Sequence, residues 1–215
     1  RMKVLLIVNP AAGQLKAKTG LMDIVRRMNA LGCLVTVVTT QRRSQASELV
    51  RELAADYDRL VCCGGDGTLN EVIAGLMQTE GPKELGYIPA GTTNDFAAGL
   101  GLSKDLGKAA EAAVCGLAHE LDLGSFNGRY FSYVASFGMF SASSYSAPQA
   151  VKNIFGQAAY VMEGLKELVN IKTYPVRLKA DGRELEGEYI YGSVSNATSI
   201  GGIVKLDPKL VDLRD

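Results

Sequence analysis

The sequence predicts an α/β fold, in which a doubly wound parallel sheet is followed by an antiparallel β-sandwich. Through the first half, short apolar runs alternate with segments of helical periodicity, which is typical of a parallel sheet covered by helices on both faces. From about Leu121 aromatic and β-branched residues become frequent, and Asp181-Gly182 is a strong hairpin signal. We therefore predict two domains, 1–121 and 122–215, and expect the second to be incomplete at its carboxyl end.

Four apolar runs have the length and composition of buried strands. They occupy residues 3–8, 34–39, 59–63 and 85–90. A helical segment follows each run, and the first is expected to end at Gly32, a residue type favoured after helix ends. The second spans 44–55 with Ser44 as its N-cap. The third carries the helical repeat Leu69, Val72, Ile73 and Leu76, and the fourth spans 105–116.

Composition excludes several classes of protein. Lys plus Arg and Asp plus Glu each number 23, so no global field attracts nucleic acid. The single histidine, His119, excludes catalysis built on two histidines. Four cysteines without a C-x-x-C pair indicate reduced thiols in a cytosolic protein, with neither disulfides nor a zinc site. The sequence has no signal-peptide pattern and no apolar run of about 18 residues, so we expect no membrane span.

The loops after the four predicted strands are rich in glycine, asparagine, threonine and aspartate. They are NPAAG, Thr39-Thr40, GGDGT and AGTTND. Ligands of doubly wound sheets bind beyond the carboxyl ends of the strands, which all lie at one edge. We therefore expect these loops to form a single site.

The segment GGDGTLNEV (64–72) concentrates glycines around Asp66. Glycines allow a tight turn and leave backbone N–H groups open to a ligand. Thr68 and Glu71 fit a capping box, which predicts that a helix begins there and presents its amino end to phosphate. Asp66 is then expected to hold a metal, because Mg²⁺ between carboxylate and phosphate turns repulsion into attraction. The alternative is a tight βα turn with ordinary capping, and no Walker A loop or dinucleotide fingerprint is present.

Three motifs, in this order, resemble the diacylglycerol kinase catalytic-domain family, which includes bacterial diacylglycerol kinases, sphingosine kinases and ceramide kinases. They are VNPAAG (8–13), GGDGTLNEV (64–72) and IPAGTTNDFA (88–97). The segments ELDLGSFNGRYF (120–131) and SNATSIGG (195–202) extend the likeness over the whole chain. GGDGT is shared with NAD kinases, whereas the third motif is more specific to the lipid kinases.

The resemblance implies an ATP- and Mg²⁺-dependent kinase that phosphorylates a lipid hydroxyl in a cleft between its two domains. Diacylglycerol, which would yield phosphatidic acid, is the favoured acceptor. A cytoplasmic protein, peripherally associated with the membrane, is expected to meet its lipid substrate at the membrane surface. The sequence leaves a homodimer open.

The resemblance also implies the site residues. Positions that match the family's ATP contacts are Asn9, Pro10, Ala11, Ala12, Gly13, Thr40, Gly65, Asp66, Gly67, Thr68, Leu69, Asn70, Glu71 and Thr92. Positions that match its catalytic Mg²⁺ network are Asp66, Asp95 and Asp122, and Asp66 is the predicted catalytic residue. Asp212 and Asp215 are candidates for a second, structural Mg²⁺.

Structural alternatives exist for three of these carboxylates. Asp95 can be a first-turn helix residue stabilised by the helix dipole, and Asp122 a turn residue at a strand end. Glu71 is expected to act as a helix cap first and a ligand second. The family's proposed general base is a glutamate in a carboxy-terminal segment, which we expect beyond residue 215.

Two other functions compete with the lipid kinase. One is an NAD kinase-like nucleotide kinase, against which AGTTNDFA counts. The other is a nucleotide-binding module without catalysis. The lipid itself cannot be identified, because the apolar segments 137–147 and 153–165, the second within an expected helix at 151–170, fit core packing as well as a lipid pocket.

Overall fold

The structure is a computed structural model that describes residues 1–13, 15–80, 84–138, 172–180, 182–197, 199–200, 204–205 and 207. The helix expected at 151–170 and most of the segment 137–147 lie outside the described residues, as do Asp181, Asp212 and Asp215.

Four parallel strands form the central sheet in the order β2-β1-β3-β4. Their bounds are β1 Lys3–Val8, β2 Leu34–Thr39, β3 Arg59–Gly64 and β4 Leu85–Pro89. β1 pairs with β2 on one side and β3 on the other, so its residues are enclosed by backbone on both sides. All four predicted strands are confirmed to within a residue.

Both faces of this sheet are covered at β1, because its residues alternate between two apolar clusters. The edge strand β2 is mostly exposed, with Leu34 at 54% and Val37 at 36%, so it is not the buried strand that its composition predicts. Leu6 packs in one cluster with residues of α1 (Lys16–Ala30) and α5 (Leu106–Cys115). Leu5 packs in the other with residues of α2 (Gln45–Leu53) and α3 (Asp66–Leu76). Burying a large aliphatic side chain contributes about 1.5–3 kcal/mol, so the continuous apolar run of β1 stabilises both layers. The doubly wound arrangement is therefore confirmed.

The helix ends differ in how well the sequence predicts them. Gly32 follows the last residues of α1 with φ 83°, as expected of a glycine at a helix end. Asp105 caps α5 by accepting a hydrogen bond from the Lys108 N–H at 2.8 Å. The prediction for Ser44 is wrong in mechanism: it precedes α2, but it has φ 63° and makes no capping bond with its side chain. A one-turn 3₁₀ helix, Ala54–Asp56, continues α2.

A short helix that we do not predict as a separate element follows β4. It is α4, Asp95–Gly99, and it begins at the end of the AGTTND loop. Phe96 and Ala97 of α4 are buried in the same cluster as Leu5. The structural alternative for Asp95, a residue in the first turn of a helix, is therefore what the structure shows.

Antiparallel pairs make up the rest of the described chain, which confirms the predicted change of character. β5 (Gly124–Phe126) pairs with β6 (Arg129–Phe131), β7 (Val134–Gly138) with β10 (Tyr191–Ser195), β8 (Tyr174–Ala180) with β9 (Arg183–Tyr189), and β11 (Ser199–Ile200) with β12 (Val204–Lys205). Gly182, with φ 74°, lies in the predicted β8–β9 turn. The domain boundary at 121 stays a prediction. Within the part of the chain that the structure describes, no helix is long and apolar enough to span a bilayer.

Candidate active site

The loops after the strands meet at one edge because the sheet's hydrogen bonding continues into them. The Thr40 N–H donates to the carbonyl of Val8 at 2.9 Å, and the Asn9 N–H donates to the carbonyl of Cys63 at 2.9 Å. The Ala90 N–H donates to the carbonyl of Gly64 at 2.8 Å. These bonds align the starts of all four loops, which places the predicted nucleotide positions side by side.

Asn9 shapes the first loop and ties it to α3. Its Oδ1 accepts from the Ala11 N–H at 3.0 Å, which closes a local turn. Its Nδ2 donates to the Thr68 Oγ1 at 3.1 Å. Thr68 is buried, at 8% exposed, so its hydroxyl serves to hold Asn9.

The glycines allow three loops to approach one another closely. A Cβ on Gly65 would lie 3.2 Å from the Gly91 Cα, and a Cβ on Gly91 would collide with the Gly65 Cα. A Cβ on Gly13 would collide with the carbonyl of Ala90. Gly67 is different, since nothing lies within 4 Å of the position of its Cβ. Loop-to-loop contact therefore accounts for Gly13, Gly65 and Gly91, while Gly67 faces open space.

Gly91 and Asn94 lie in the motif IPAGTTNDFA, but they are not among the site residues predicted from the sequence. Asn94 has φ 53°, a conformation that asparagine tolerates better than most residues. Its Oδ1 accepts from the Gly91 N–H at 2.8 Å, and its Nδ2 donates to the Gly91 carbonyl at 2.9 Å. The asparagine within AGTTND thus fixes the fourth loop, and a turn-forming residue beside a glycine is the signal that could have shown it.

Asp66 caps the neighbouring helix α4. Its Oδ2 accepts from the Asp95 N–H at 3.1 Å and its Oδ1 from the Phe96 N–H at 3.2 Å. The Thr93 hydroxyl donates to Oδ2 at 3.4 Å. Asp66 thus joins the third loop to the fourth, a structural role that the sequence does not reveal.

Burial raises the pKa of Asp66 above its ordinary value of 3.8. The two backbone N–H groups of α4 act in the opposite direction, because they stabilise the carboxylate, and the nearby charge of Asp95 raises the pKa again. A half-buried acid with its charge held between amide donors and a second carboxylate is a site where a cation would be stabilised.

The capping box predicted for Thr68 and Glu71 is wrong. Helix α3 already begins at Asp66, and Thr68 lies inside its first turn. The Glu71 carboxylate instead accepts from backbone N–H groups at the start of α2, from Ser44 at 2.9 Å and from Ala46 at 3.3 Å. Glu71 is therefore a cap, as expected, but of a different helix.

Asp122 and Ser132 carry buried oxygens without hydrogen-bond partners. These are the Asp122 Oδ2 and the Ser132 Oγ. Within the described residues, no three His, Cys, Asp or Glu side chains are grouped as a metal site requires. The resemblance implies a network of carboxylates and water at Asp66, Asp95 and Asp122, which does not require such a direct cluster. Their metal roles stay proposals.

The predicted ATP-contacting positions differ in what they offer a ligand. The side chains of Ala12 and Leu69 are buried in the two core clusters, and the Leu69 N–H donates to the carbonyl of Gly65. Positions that are at least partly exposed are Asn9, Pro10, Ala11, Thr40, Gly65, Asp66, Gly67, Asn70, Glu71 and Thr92.

The sequence profile of the diacylglycerol kinase catalytic domain matches residues 3–126, more than half of the chain. This chain belongs to the diacylglycerol kinase family. A diacylglycerol kinase of Bacillus subtilis (strain 168) is 34% identical over 205 residues, which are 94% of this chain and 68% of that protein. A diacylglycerol kinase of Staphylococcus saprophyticus is 34% identical over 209 residues, 97% of this chain and 68% of that protein.

A solved structure agrees with the sequence comparison. The crystal structure of a diacylglycerol kinase from Bacillus anthracis str. Sterne superposes with a TM-score of 0.69 at 30% identity, covering 95% of this chain and 66% of that one. The resemblance expected from the three motifs is confirmed, and the chain is a lipid kinase of the diacylglycerol kinase family.

Proposed function

We propose that this chain transfers the γ-phosphoryl group of ATP to a lipid hydroxyl, with diacylglycerol as the favoured acceptor and phosphatidic acid as the product. The observation that carries the proposal is the convergence of the loops at Gly13, Gly65 and Gly91 around the amino end of α3. Membership of a family of lipid kinases supports it.

The amino end of α3 is where we propose the phosphates bind. The first N–H groups of a helix have no partners within the helix, and its dipole favours an anion there. Gly67 leaves this end open, because it has no side chain and a Cβ at its position would meet no other atom within 4 Å. Phosphoryl transfer depends mainly on positioning and charge neutralisation, so a rigid cradle of backbone donors is suited to it.

Mg²⁺ fits the chemistry of the neighbouring carboxylates. The buried Oδ2 of Asp122 has no hydrogen-bond partner, and such an oxygen gains most from a cation or its bound water. The backbone N–H of Asp95 donates to the carboxylate of Asp66 at the edge where the loops meet. We propose that these three carboxylates hold Mg²⁺, in part through water. The ion, when bound, would neutralise charge on the transferred phosphate.

Contact with the lipid requires a membrane or micelle surface, and we propose peripheral association with the cytoplasmic face. A homodimer stays a prediction.

The test is a phosphorylation assay with ATP and Mg²⁺ on diacylglycerol in mixed micelles, with sphingosine and NAD as parallel acceptors. We expect labelled phosphatidic acid and little product from the other two. Product only from NAD would support the NAD kinase-like alternative. ATP binding without any product would support the non-catalytic nucleotide-binding module.

Asp66→Asn is the informative variant. An amide preserves the shape and one acceptor oxygen but removes the negative charge, so we expect kcat to fall by about 100-fold or more while the protein stays folded. Asp56→Asn is the matched control, because it removes the same charge from an exposed aspartate in the 3₁₀ helix after α2. Asp66→Asn with near-native turnover would contradict the proposed role of its charge.

A further inference from the structure

A hydrogen bond links Tyr133, which lies just before β7, to the loops at the sheet edge. The Tyr133 hydroxyl donates to the Oδ2 of Asp95 at 2.9 Å. Asp95 is buried, at 2% exposed, and its own N–H donates to Asp66. We propose that Tyr133 is a positioning residue that orients the Asp95 carboxylate beside Asp66 for phosphoryl transfer. This proposal rests on the kinase function proposed above.

Tyr133 is itself held in place by its backbone. The Asn196 N–H donates to the Tyr133 carbonyl at 2.8 Å. The Asn196 Nδ2 donates to the carbonyls of Asp122 at 2.8 Å and Ser132 at 3.3 Å. Asn196 thus connects the end of β10 to two segments at once, and it fixes the point from which the Tyr133 side chain extends.

A second tie runs from the same segment to helix α3. The Ser132 N–H donates to the Oδ1 of Asn70 at 3.1 Å. Asn70 is one of the positions predicted to contact ATP, yet its carbonyl oxygen is used to bind the neighbouring segment. The residues just before β7 are therefore attached to the nucleotide edge at two places, through Asn70 and through Asp95.

The ring of Tyr133 packs against the apolar cluster that includes Leu69 and Phe96. Because the ring and the backbone of Tyr133 are held by these contacts, its hydroxyl can be removed without opening the core. A hydrogen bond to a carboxylate is stronger than one between neutral groups, especially where water is excluded. Losing it would remove a bond that orients the Asp95 carboxylate beside Asp66.

The arrangement also joins the two halves of the chain. Tyr133 stands where the chain passes from the parallel sheet region into β7, which pairs with β10. A shift of these strands relative to the sheet would move the hydroxyl away from Asp95.

The experiment compares Tyr133→Phe with Tyr130→Phe. Tyr130 is a matched control, because it lies on β6, is 37% exposed and is not among the predicted site residues. We expect Tyr133→Phe to lower kcat by about 10-fold or more, as misplacement of a reacting group does, with KM for ATP and lipid changed less than about twofold. Tyr130→Phe should leave both unchanged.

Asp95→Asn and the double variant show whether Tyr133 acts through Asp95. If it does, adding Tyr133→Phe to Asp95→Asn should lower kcat by less than about twofold further, because interacting residues are not additive. If the fold-losses in kcat of the two single variants multiply in the double variant, the two residues act independently and the proposal is overturned. A Tyr133→Phe enzyme whose kcat equals that of Tyr130→Phe, or one that changes KM alone, would also overturn it.

Amide hydrogen exchange keeps the test independent of the reaction. Exchange in the segment 93–99 should be faster in Tyr133→Phe than in wild type and unchanged in Tyr130→Phe. If wild type phosphorylates none of the acceptors, the proposed function fails. Amide exchange alone then tests whether the Tyr133 hydroxyl holds Asp95. Unchanged exchange in Tyr133→Phe would refute the positioning role whatever the enzyme's activity.

Discussion

Glu71 holds the start of helix α2, so replacing it should destabilise that helix rather than its own. Its carboxylate accepts from the N–H groups of Ser44 and Ala46, and Ser44 makes no capping bond with its own side chain. Removing a helix cap costs about 0.5–2 kcal/mol, and bonds to a charged acceptor lie toward the upper part of that range. Ser44 is exposed, which weakens its bond, so we expect Glu71→Ala to lower the free energy of unfolding by about 1–2 kcal/mol.

For a chain of this size each kcal/mol lowers Tm by about 2–4 °C, so Glu71→Ala should lower Tm by about 2–8 °C. Glu71→Gln keeps one acceptor oxygen and should lose about half as much. Circular dichroism melts measure both, with Glu52→Gln, an exposed glutamate on α2, as the control. Amide exchange should quicken in residues 44–47 of the Glu71 variants.

The opposite pattern of exchange would refute this reasoning. If Glu71 capped its own helix, as the capping box predicts, Glu71→Ala would quicken exchange at 66–69 and leave 44–47 unchanged. A Tm equal to that of Glu52→Gln would show that the contact contributes nothing to stability.

Four further predictions follow from the same edge and the core beneath it. Gly91→Ala should lower Tm, because its Cβ would collide with the Gly65 Cα. Gly67→Ala, in open space within α3, should raise Tm slightly and weaken ATP binding by calorimetry; unchanged ATP affinity would contradict the phosphate site. Because burial raises the pKa of Asp66, its contribution to stability falls as pH rises from 3.8 through its folded value. In urea titrations the stability of Asp66→Asn relative to wild type should therefore improve as pH rises, and the opposite slope would show a lowered pKa. Of the four free cysteines only Cys115 is exposed, and burial raises the pKa of Cys63 to about 12, so a thiol reagent should label one thiol quickly and three only after unfolding. Fast labelling of two or more thiols would contradict the buried arrangement.

The sequence by itself determined the parallel sheet and the position of its functional edge. Residues 4–8 are apolar at every position, which suits a strand buried on both faces, and Leu5 and Leu6 do lie in opposite clusters. The edge then follows from topology, since parallel strands put all their following loops on one side. The family also follows from local motifs, whose order along the chain is visible without any structure.

Only the tertiary structure decided which groups the acidic side chains meet. The T-x-x-E pattern is the same whether Glu71 caps its own helix or another. The close packing of α3 on α2, where a Cβ on Gly75 would lie 2.6 Å from the Ser47 carbonyl, brings Glu71 to Ser44. Asp66 and Tyr133 likewise reach partners 29 and 38 positions away along the chain. Periodicity reports which face of an element is apolar, but a long-range contact depends on how the faces pack, and no local pattern contains that information.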